Sequence, residues 1–534
     1  MSRSSTRWFG LLTTALIALI ARVLLLATDS VSFHSDEAIV GLMARHILFG
    51  ERPVFFYGQA YMGSLDAWLI AGGFALLGES VMTIRIVQSF LYLIVVAAGY
   101  WLAWRLTERP LVAISAGLLL AVPPTLGALY TTATLGGYNE TLLFGILILL
   151  MAHSVTYQQR TSRWRWALLG LAAGLGWWTN GLIIAFGAPA GFIILLDLWR
   201  GTDRLATLAG LGIALAGFLI GSAPWWIFAF ENDLAPLRFL LGDQRGSFAG
   251  TGAIRLNTSD RLVGLLLFGL PAVIGLRYPW SPEFFLLPLS VIVALVFIIA
   301  VIGVARRRDL PGYARALLVS MIVIFCALFL ASSFSNDPTG RYFLPLIIPL
   351  SIAFGLLVDT LHARAGRLPA SALLGLVLVY FAAGQVYAAS NNPPGITTQF
   401  NLITHIPNDD DDALIAFLID QDLTHGYTNY WIAFRLAFLS QERVQYSATL
   451  PDKPDLTYTP FYERYPPYRA AADGAGRIGY ITANVPEIEQ ELEGLFVSAG
   501  VRFERAEIGP FVIFYDFSPA EAVPRPPLPF IVQS

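Results

Sequence analysis

Two carboxylates stand side by side in the run Ser32-Phe33-His34-Ser35-Asp36-Glu37, a few residues after the first long apolar stretch. They open an amphipathic segment, Ala38 to Phe49, so the pair falls at the outer mouth of a membrane span. A carboxylate in such a place can take the proton of an attacking hydroxyl. The same residues also have a local explanation, since acids in the first turn of a helix complement its dipole and Ser32 or Ser35 suits the N-cap. Three more ionisable residues sit in comparable places. Glu140, in Gly136-Gly137-Tyr138-Asn139-Glu140, begins a later span, where a dipole role is the alternative. Arg341 lies at the outer end of another span beside Tyr342, where snorkelling to lipid headgroups is the alternative. Asp66 falls in the stretch Tyr61–Leu77 as a weaker candidate, where facing solvent is the alternative. His34 can bind a metal or cap its loop, and with six scattered histidines the capping role is preferred.

The elements that must position these groups are membrane spans. The chain has 534 residues, is 56% hydrophobic and 13% charged, and has a mean hydropathy of +0.62, values that exclude an ordinary soluble protein. Its basic residues are arginines apart from Lys453, and a net charge of −3 gives no sign of a nucleic-acid partner. The one cysteine, Cys326, can form no intrachain disulfide. Apolar runs near 8–27, 82–104, 110–129, 140–157, 164–180, 181–199, 205–230, 284–305, 313–333, 342–361 and 369–389 give about eleven spans, the first read as a retained signal-anchor. With that count Arg3/Arg7, Arg105/Arg109, Arg160/Arg163/Arg165, Arg200/Arg204, Arg306–Arg308/Arg315 and Arg364/Arg367 share one side, the cytoplasm. The shorter run Leu262–Leu276, flanked by Arg255, Arg261 and Arg277 and holding Pro271, is expected on the outer surface or as a re-entrant segment. Trp177-Trp178, Trp225-Trp226 and Tyr278/Trp280 suit an interfacial belt.

Three outer segments are too long to be connectors: 28–81, 231–283 and everything after about 390. In the first, Ala38–Phe49 and Tyr61–Leu77 read as two helices lying along the membrane face, separated by Pro53 and Gly58. The last opens at Asn391-Asn392-Pro393-Pro394-Gly395. Helices are expected at Ala413–Leu418, Ile432–Leu439 and Pro486–Ala499, and strands at Arg443–Ser447, Arg477–Thr482 and Val512–Phe517. The expectation is therefore a polytopic α-helical membrane protein with outer-face amphipathic helices, a membrane core over 1–390 and a soluble α/β domain over 391–534. Asp409–Asp412 lacks the spacing and glycine of a calcium loop and reads as a solvated helix N-terminus. Pro524–Pro529 reads as an extended tail.

No glycine-rich phosphate loop, HExxH, CxxC or nucleotide fingerprint is present in the sequence. An enzyme whose polar loops face outward must receive any activated group through the membrane.

The outer loop opening on His34-Ser35-Asp36-Glu37, the two surface helices, the multispan core and the late span Gly340-Arg341-Tyr342-Phe343-Leu344-Pro345-Leu346 together resemble the GT-C glycosyltransferases. The nearest branch is the protein O-mannosyltransferase and aminoarabinose-transferase type, and Tyr57-Gly58-Gln59-Ala60-Tyr61-Met62-Gly63-Ser64-Leu65-Asp66 also resembles bacterial members. The resemblance covers about residues 8–390 and says nothing of the C-terminal domain. It implies transfer of a sugar from a polyprenyl-phosphate donor to a lipid, glycan or protein acceptor on the extracytoplasmic face of the cell's inner membrane. Asp36 matches the family's catalytic acid and would be the base, with Glu37 in support. Arg341 resembles the lipid-phosphate contact, and Glu140, Asp66, Tyr57, Gln59 and Tyr61 would bind substrate. Asp36, Glu37, Glu140 and Arg341 are expected to line one cavity between the surface helices and the outer ends of the core. Arginines can neutralise a monophosphate, so no cofactor is required, with a divalent cation as the alternative. Two other classes stand against this reading, a secondary transporter and an assembly protein whose outer domain binds a partner.

Overall fold

The computed structural model describes residues 3–157, 161–201, 203–240, 257–332, 337, 339–391, 395–398 and 405–532. Arg160, Arg255 and Asn392-Pro393-Pro394, used in the sequence reading, lie outside the described residues. The chain is a polytopic α-helical membrane protein with a C-terminal strand-containing domain. Its contacts divide it into two compact units, one formed by 1–30, 85–231 and 255–392, the other by 31–84, 232–254 and 393–534. The first outer loop is thus grouped with the C-terminal segment and not with the spans that flank it.

In the membrane unit, nine helices among the described residues are long and apolar enough to cross a bilayer, from Thr6–Ala27 to Arg367–Asn391. Two of the eleven expected spans fall short of that length. Residues 110–129 break at Val122-Pro123-Pro124 into Pro110–Ala121 and Thr125–Tyr130, because consecutive prolines cannot continue the backbone ladder. The other is Arg163–Thr179, 17 residues long. It packs so closely on Arg204–Gly221 that a Cβ at Gly170 would lie 1.9 Å from the carbonyl oxygen of Ala214. The expected run 205–230 also ends early, at Gly221, and a second helix, Ala223–Glu231, follows. There Trp225 is buried against Trp177 at 5.7 Å, a packing role where a belt position was expected.

Leu262–Leu276 forms no continuous span. A helix over Thr258–Val263 passes through a π-turn, Gly264–Gly269, into Leu270–Val273, and Pro271 supplies no N–H to a regular ladder there. Three loop ends meet in one ion network. Arg109 binds Asp309 at 2.6 Å and also Asp359, and Arg307 reaches Asp359 at 3.5 Å. The ends carrying Arg109, Arg307 and Asp359 therefore share one side of the membrane.

In the second unit a five-stranded mixed sheet has the order Gln445–Ala448, His425–Thr428, Gly479–Ala483, Phe511–Ser518, Arg502–Ile508. The first three strands run parallel and the last two pair antiparallel. Alternating residues of Phe511–Ser518 feed two cores, Val512 and Phe514 on one face, Phe511 and Ile513 on the other. Helix Pro486–Ser498 covers the first through Ile488, Leu492 and Phe496. Helices Asp411–Asp420 and Tyr430–Leu439 cover the second through Leu414, Leu418, Ile432 and Leu436. Asp411 is not solvated as expected, since it is buried in an ion pair with Arg435 at 2.7 Å. The proline-rich tail is tied down where Arg469 donates to the Pro526 carbonyl at 2.6 Å.

Residues 31–84 pack onto this domain. Helix Ser35–Leu48 is buried at every position from Ser35 to Ile47 except Asp36, so it does not lie as an amphipathic helix with one wet face. A Cβ at Gly41 would sit 2.5 Å from the Phe438 ring, an approach that only glycine permits without rearrangement. Tyr61 is not helical either. Phe55–Phe56 and Gln59–Gly63 form a short antiparallel hairpin, and the second helix begins at Leu65. Because they are packed together, the loop and the C-terminal domain lie on the same side of the membrane.

Candidate active site

Asp36 sits at the second position of its helix. The N-cap residue is His34, not Ser32 or Ser35, and no side chain caps the helix start. The chain before it is held by a parallel bridge between Val31 and Ile396, with Ser32 N–H donating to the Ile396 carbonyl at 3.2 Å. This pairing sets Thr398 beside His34 and Asp36. Thr398 Oγ1 is 2.9 Å from His34 Nε2 and donates to Asp36 Oδ2 at 3.5 Å. One proton order satisfies the chain: His34 Nε2–H to Thr398, and Thr398 O–H to the carboxylate. His34 therefore orients a neighbour and does not merely cap the loop.

The other carboxylate oxygen, Oδ1, accepts from the hydroxyl of Tyr430, the first residue of a C-terminal-domain helix. Burial, and next the charge of Asp36, push the Tyr430 phenol well above its usual range, so it remains a donor at neutral pH. The Asp36 side chain keeps 32% of its surface exposed in a helix otherwise buried at its head. It is thus oriented by two hydroxyls and still open to an incoming group. Glu37 is fully buried.

The remaining residues of this unit divide into two groups. Gln59 is buried beside Arg464; with its amide oxygen turned toward the guanidinium it accepts from both terminal nitrogens at 2.5 Å, while its amide nitrogen donates to Tyr61 at 3.1 Å. Arg464 in turn lies 5.6 Å from the centroid of the Tyr430 ring, so Gln59 and Tyr61 border the group that holds Asp36. Tyr57 belongs to a clamp further along. It donates to Glu51 at 2.6 Å, lies 2.8 Å from His46 Nδ1 and stacks on Tyr465 at 4.8 Å. His46 Nε2 and Tyr468 both reach Glu442, at 3.0 and 2.7 Å, and Arg45 joins Glu442 at 3.3 Å to Glu79 at 3.1 Å. Asp66 does not face solvent. It is buried and accepts from the Ala67 N–H at 2.8 Å, which fits a helix-start role.

Glu140 and Arg341 belong to the membrane unit. Glu140 is buried in the first turn of Tyr138–Tyr157 and accepts from Gln88 at 3.3 Å, while Asn139 donates to the same Gln88 at 2.7 Å. Arg341 pairs with Asp337 at 2.6 Å and lies 4.9 Å from the Tyr342 ring centroid. Its charge already has a carboxylate partner, which a phosphate there would have to share.

Sequence reasoning missed Tyr430, Tyr462, Arg464 and Thr398. A visible signal lay in Tyr458-Thr459-Pro460-Phe461-Tyr462-Glu463-Arg464-Tyr465-Pro466-Pro467-Tyr468, where aromatic rings crowd one arginine.

Comparison with solved structures decides the architecture. ArnT from Cupriavidus metallidurans in the apo state superposes with a TM-score of 0.60 at 14% identity, covering 96% of this chain and 98% of that one. The same protein bound to undecaprenyl phosphate gives a TM-score of 0.59 at 13% identity, covering 95% and 98%. The chain has the GT-C fold. Residues 64–228 match the dolichyl-phosphate-mannose-protein mannosyltransferase family, a stretch that holds Asp66 and Glu140 but neither Asp36 nor Arg341. Among curated relatives, an undecaprenyl phosphate-alpha-4-amino-4-deoxy-L-arabinose arabinosyl transferase of Pseudomonas fluorescens is 28% identical over 353 residues. That match takes in 63% of this GT-C chain and 56% of the relative, so it spans little more than half of the relative's length.

Proposed function

We propose that this GT-C protein is an integral membrane glycosyltransferase that moves a sugar from a polyprenyl-phosphate donor to a hydroxyl acceptor on the extracytoplasmic face of the inner membrane. The observation that carries the reading is the state of Asp36, a partly exposed carboxylate aimed by Tyr430 and Thr398 at the head of a buried helix. The likeness to ArnT and to the arabinosyl transferases supports the choice of donor. In the proposed step Asp36 takes the acceptor's hydroxyl proton as its oxygen bonds to the anomeric carbon. The bond from that carbon to the phosphate oxygen breaks, and the polyprenyl phosphate leaves with the electron pair. Arginine charge stabilises the leaving group, so no cofactor is needed. Glu37 and Asp66 support the site as buried polar residues, while Gln59 and Tyr61 border it.

The test is an assay of purified full-length protein with a panel of polyprenyl-phosphate sugars. Transfer by the wild type and its loss in Asp36→Asn supports the reading. No turnover with any donor, or near-normal turnover by the Asn variant, overturns it.

A further inference from the structure

The C-terminal domain carries a cation whose surroundings do not account for it. Arg464 is 6% exposed, and among the described residues it makes no ion pair. Its Nε is buried without a hydrogen-bond partner. The terminal nitrogens meet the amide oxygen of Gln59, which can solvate a guanidinium but does not neutralise it. Around it are ring faces: Phe461 at 3.8 Å, Tyr430 at 5.6 Å and Phe56 at 5.9 Å from the guanidinium carbon. A buried charge without a counter-ion is costly to keep, and cation–π contacts return only part of that cost.

The location narrows what the charge is for. Tyr430 and Tyr462 stack at 4.8 Å, the Tyr430 hydroxyl donates to Asp36, and the Arg464 guanidinium lies 5.6 Å from the Tyr430 ring centroid. Base and cation therefore flank one aromatic pair. We propose that Arg464 is a phosphate-binding residue of the active site, supplied by the C-terminal domain, and that it holds the phosphate of the donor beside Asp36. Guanidinium suits this role because its planar donors match two phosphate oxygens at once, and a phosphate would also satisfy the idle Nε. Gln59 keeps the fork in place. This assignment rests on the glycosyltransferase reading for the identity of the phosphate, though not for its binding.

The experiment reads binding and not turnover. Full-length protein in lipid nanodiscs is unfolded thermally alone, with inorganic phosphate, and with undecaprenyl phosphate, for the wild type, Arg464→Lys and Arg464→Met. The wild type should be protected by ligand, Arg464→Lys partly, and Arg464→Met not at all. Without ligand, Arg464→Met should melt at or above the wild-type temperature, because an apolar side chain of similar length removes an uncompensated buried charge. Protection by undecaprenyl phosphate alone assigns the lipid donor, and protection by both ligands assigns phosphate in general; each supports the proposal. Equal protection in all three proteins overturns it, as does an absence of protection in the wild type. A ligand-free Arg464→Met protein that melts well below the wild type, rescued by lysine, makes Arg464 a structural cation and overturns it too. A wild type that binds phosphate but transfers no sugar would refute the glycosyltransferase reading and leave this one standing.

Discussion

The Tyr430 hydroxyl donates to Oδ1 of Asp36 across a sequence separation of 394 residues. It joins the acid legible in the first outer loop to a domain from which no resemblance carried over. Removing the hydroxyl should therefore be felt in the chemistry. A hydrogen bond to a charged group is worth about 1.5–3 kcal/mol. Tyr430→Phe should lower kcat by about ten- to a hundredfold with little change in KM, measured by steady-state transfer. A Phe variant with unchanged kcat would separate Tyr430 from the reaction.

Asp36→Asn should abolish transfer while the protein stays folded. Asn keeps the size of the side chain but cannot take a proton, and loss of a positioned base costs about 10²–10⁴-fold in rate. Rate and melting temperature should be read together. A dipole role alone predicts a small stability loss with activity intact.

Glu442 gives a pH prediction. Burial acts to raise its carboxyl, but hydrogen bonds from His46 and Tyr468 and the charges of His46 and Arg45 outweigh burial and bring it down to about 2. A carboxyl lower in the folded than in the unfolded state, where it is about 4.3, stabilises the fold above that pH. The contribution is lost as pH falls toward 2. The melting temperature of the wild type should drop faster than that of Glu442→Gln between about pH 4.5 and 2. Parallel curves would remove the clamp from the stability of the outer unit.

The packing of the first outer loop on the C-terminal domain predicts a common side. With Cys326 replaced, single cysteines at Leu48 and Ser498, both exposed, should react with the same membrane-impermeant reagent from the same side. Labelling from opposite sides would invalidate the span count.

Chelation gives a fifth test. If arginine charge alone holds the phosphate, EDTA should leave the transfer rate unchanged, and restoration of a lost rate by magnesium would point to a cation instead.

Much of the fold was legible because burial leaves a period. The long apolar runs became helices, and the strands at Arg477–Thr482 and Val512–Phe517 were found within a few residues. Two strands left no such trace. His425–Thr428 is a short inner strand whose Gly426 lies so close to Gly479 that a Cβ would meet its carbonyl oxygen at 1.9 Å. Arg502–Ile508 is an edge strand with charged residues that keep it from pairing further. At the site, Asp36 was readable from its place in the chain, while its partners were not. Tyr430 and Thr398 meet it only through tertiary packing, which no local spacing encodes. The burial of Asp66 was not legible either, because a polar residue in an apolar stretch reads as wet until its neighbours are known.

The second unit joins residues 31–84 to residues 393–534, with most of the membrane unit between them in sequence. During synthesis Asp36 leaves the ribosome before the intervening spans, and Tyr430 follows only after they have been made. A nascent chain stopped anywhere in the membrane core carries the acid without its donor. On the proposed mechanism, competence for chemistry is withheld until the helix that carries Tyr430 has been made, and products truncated before it would be inert.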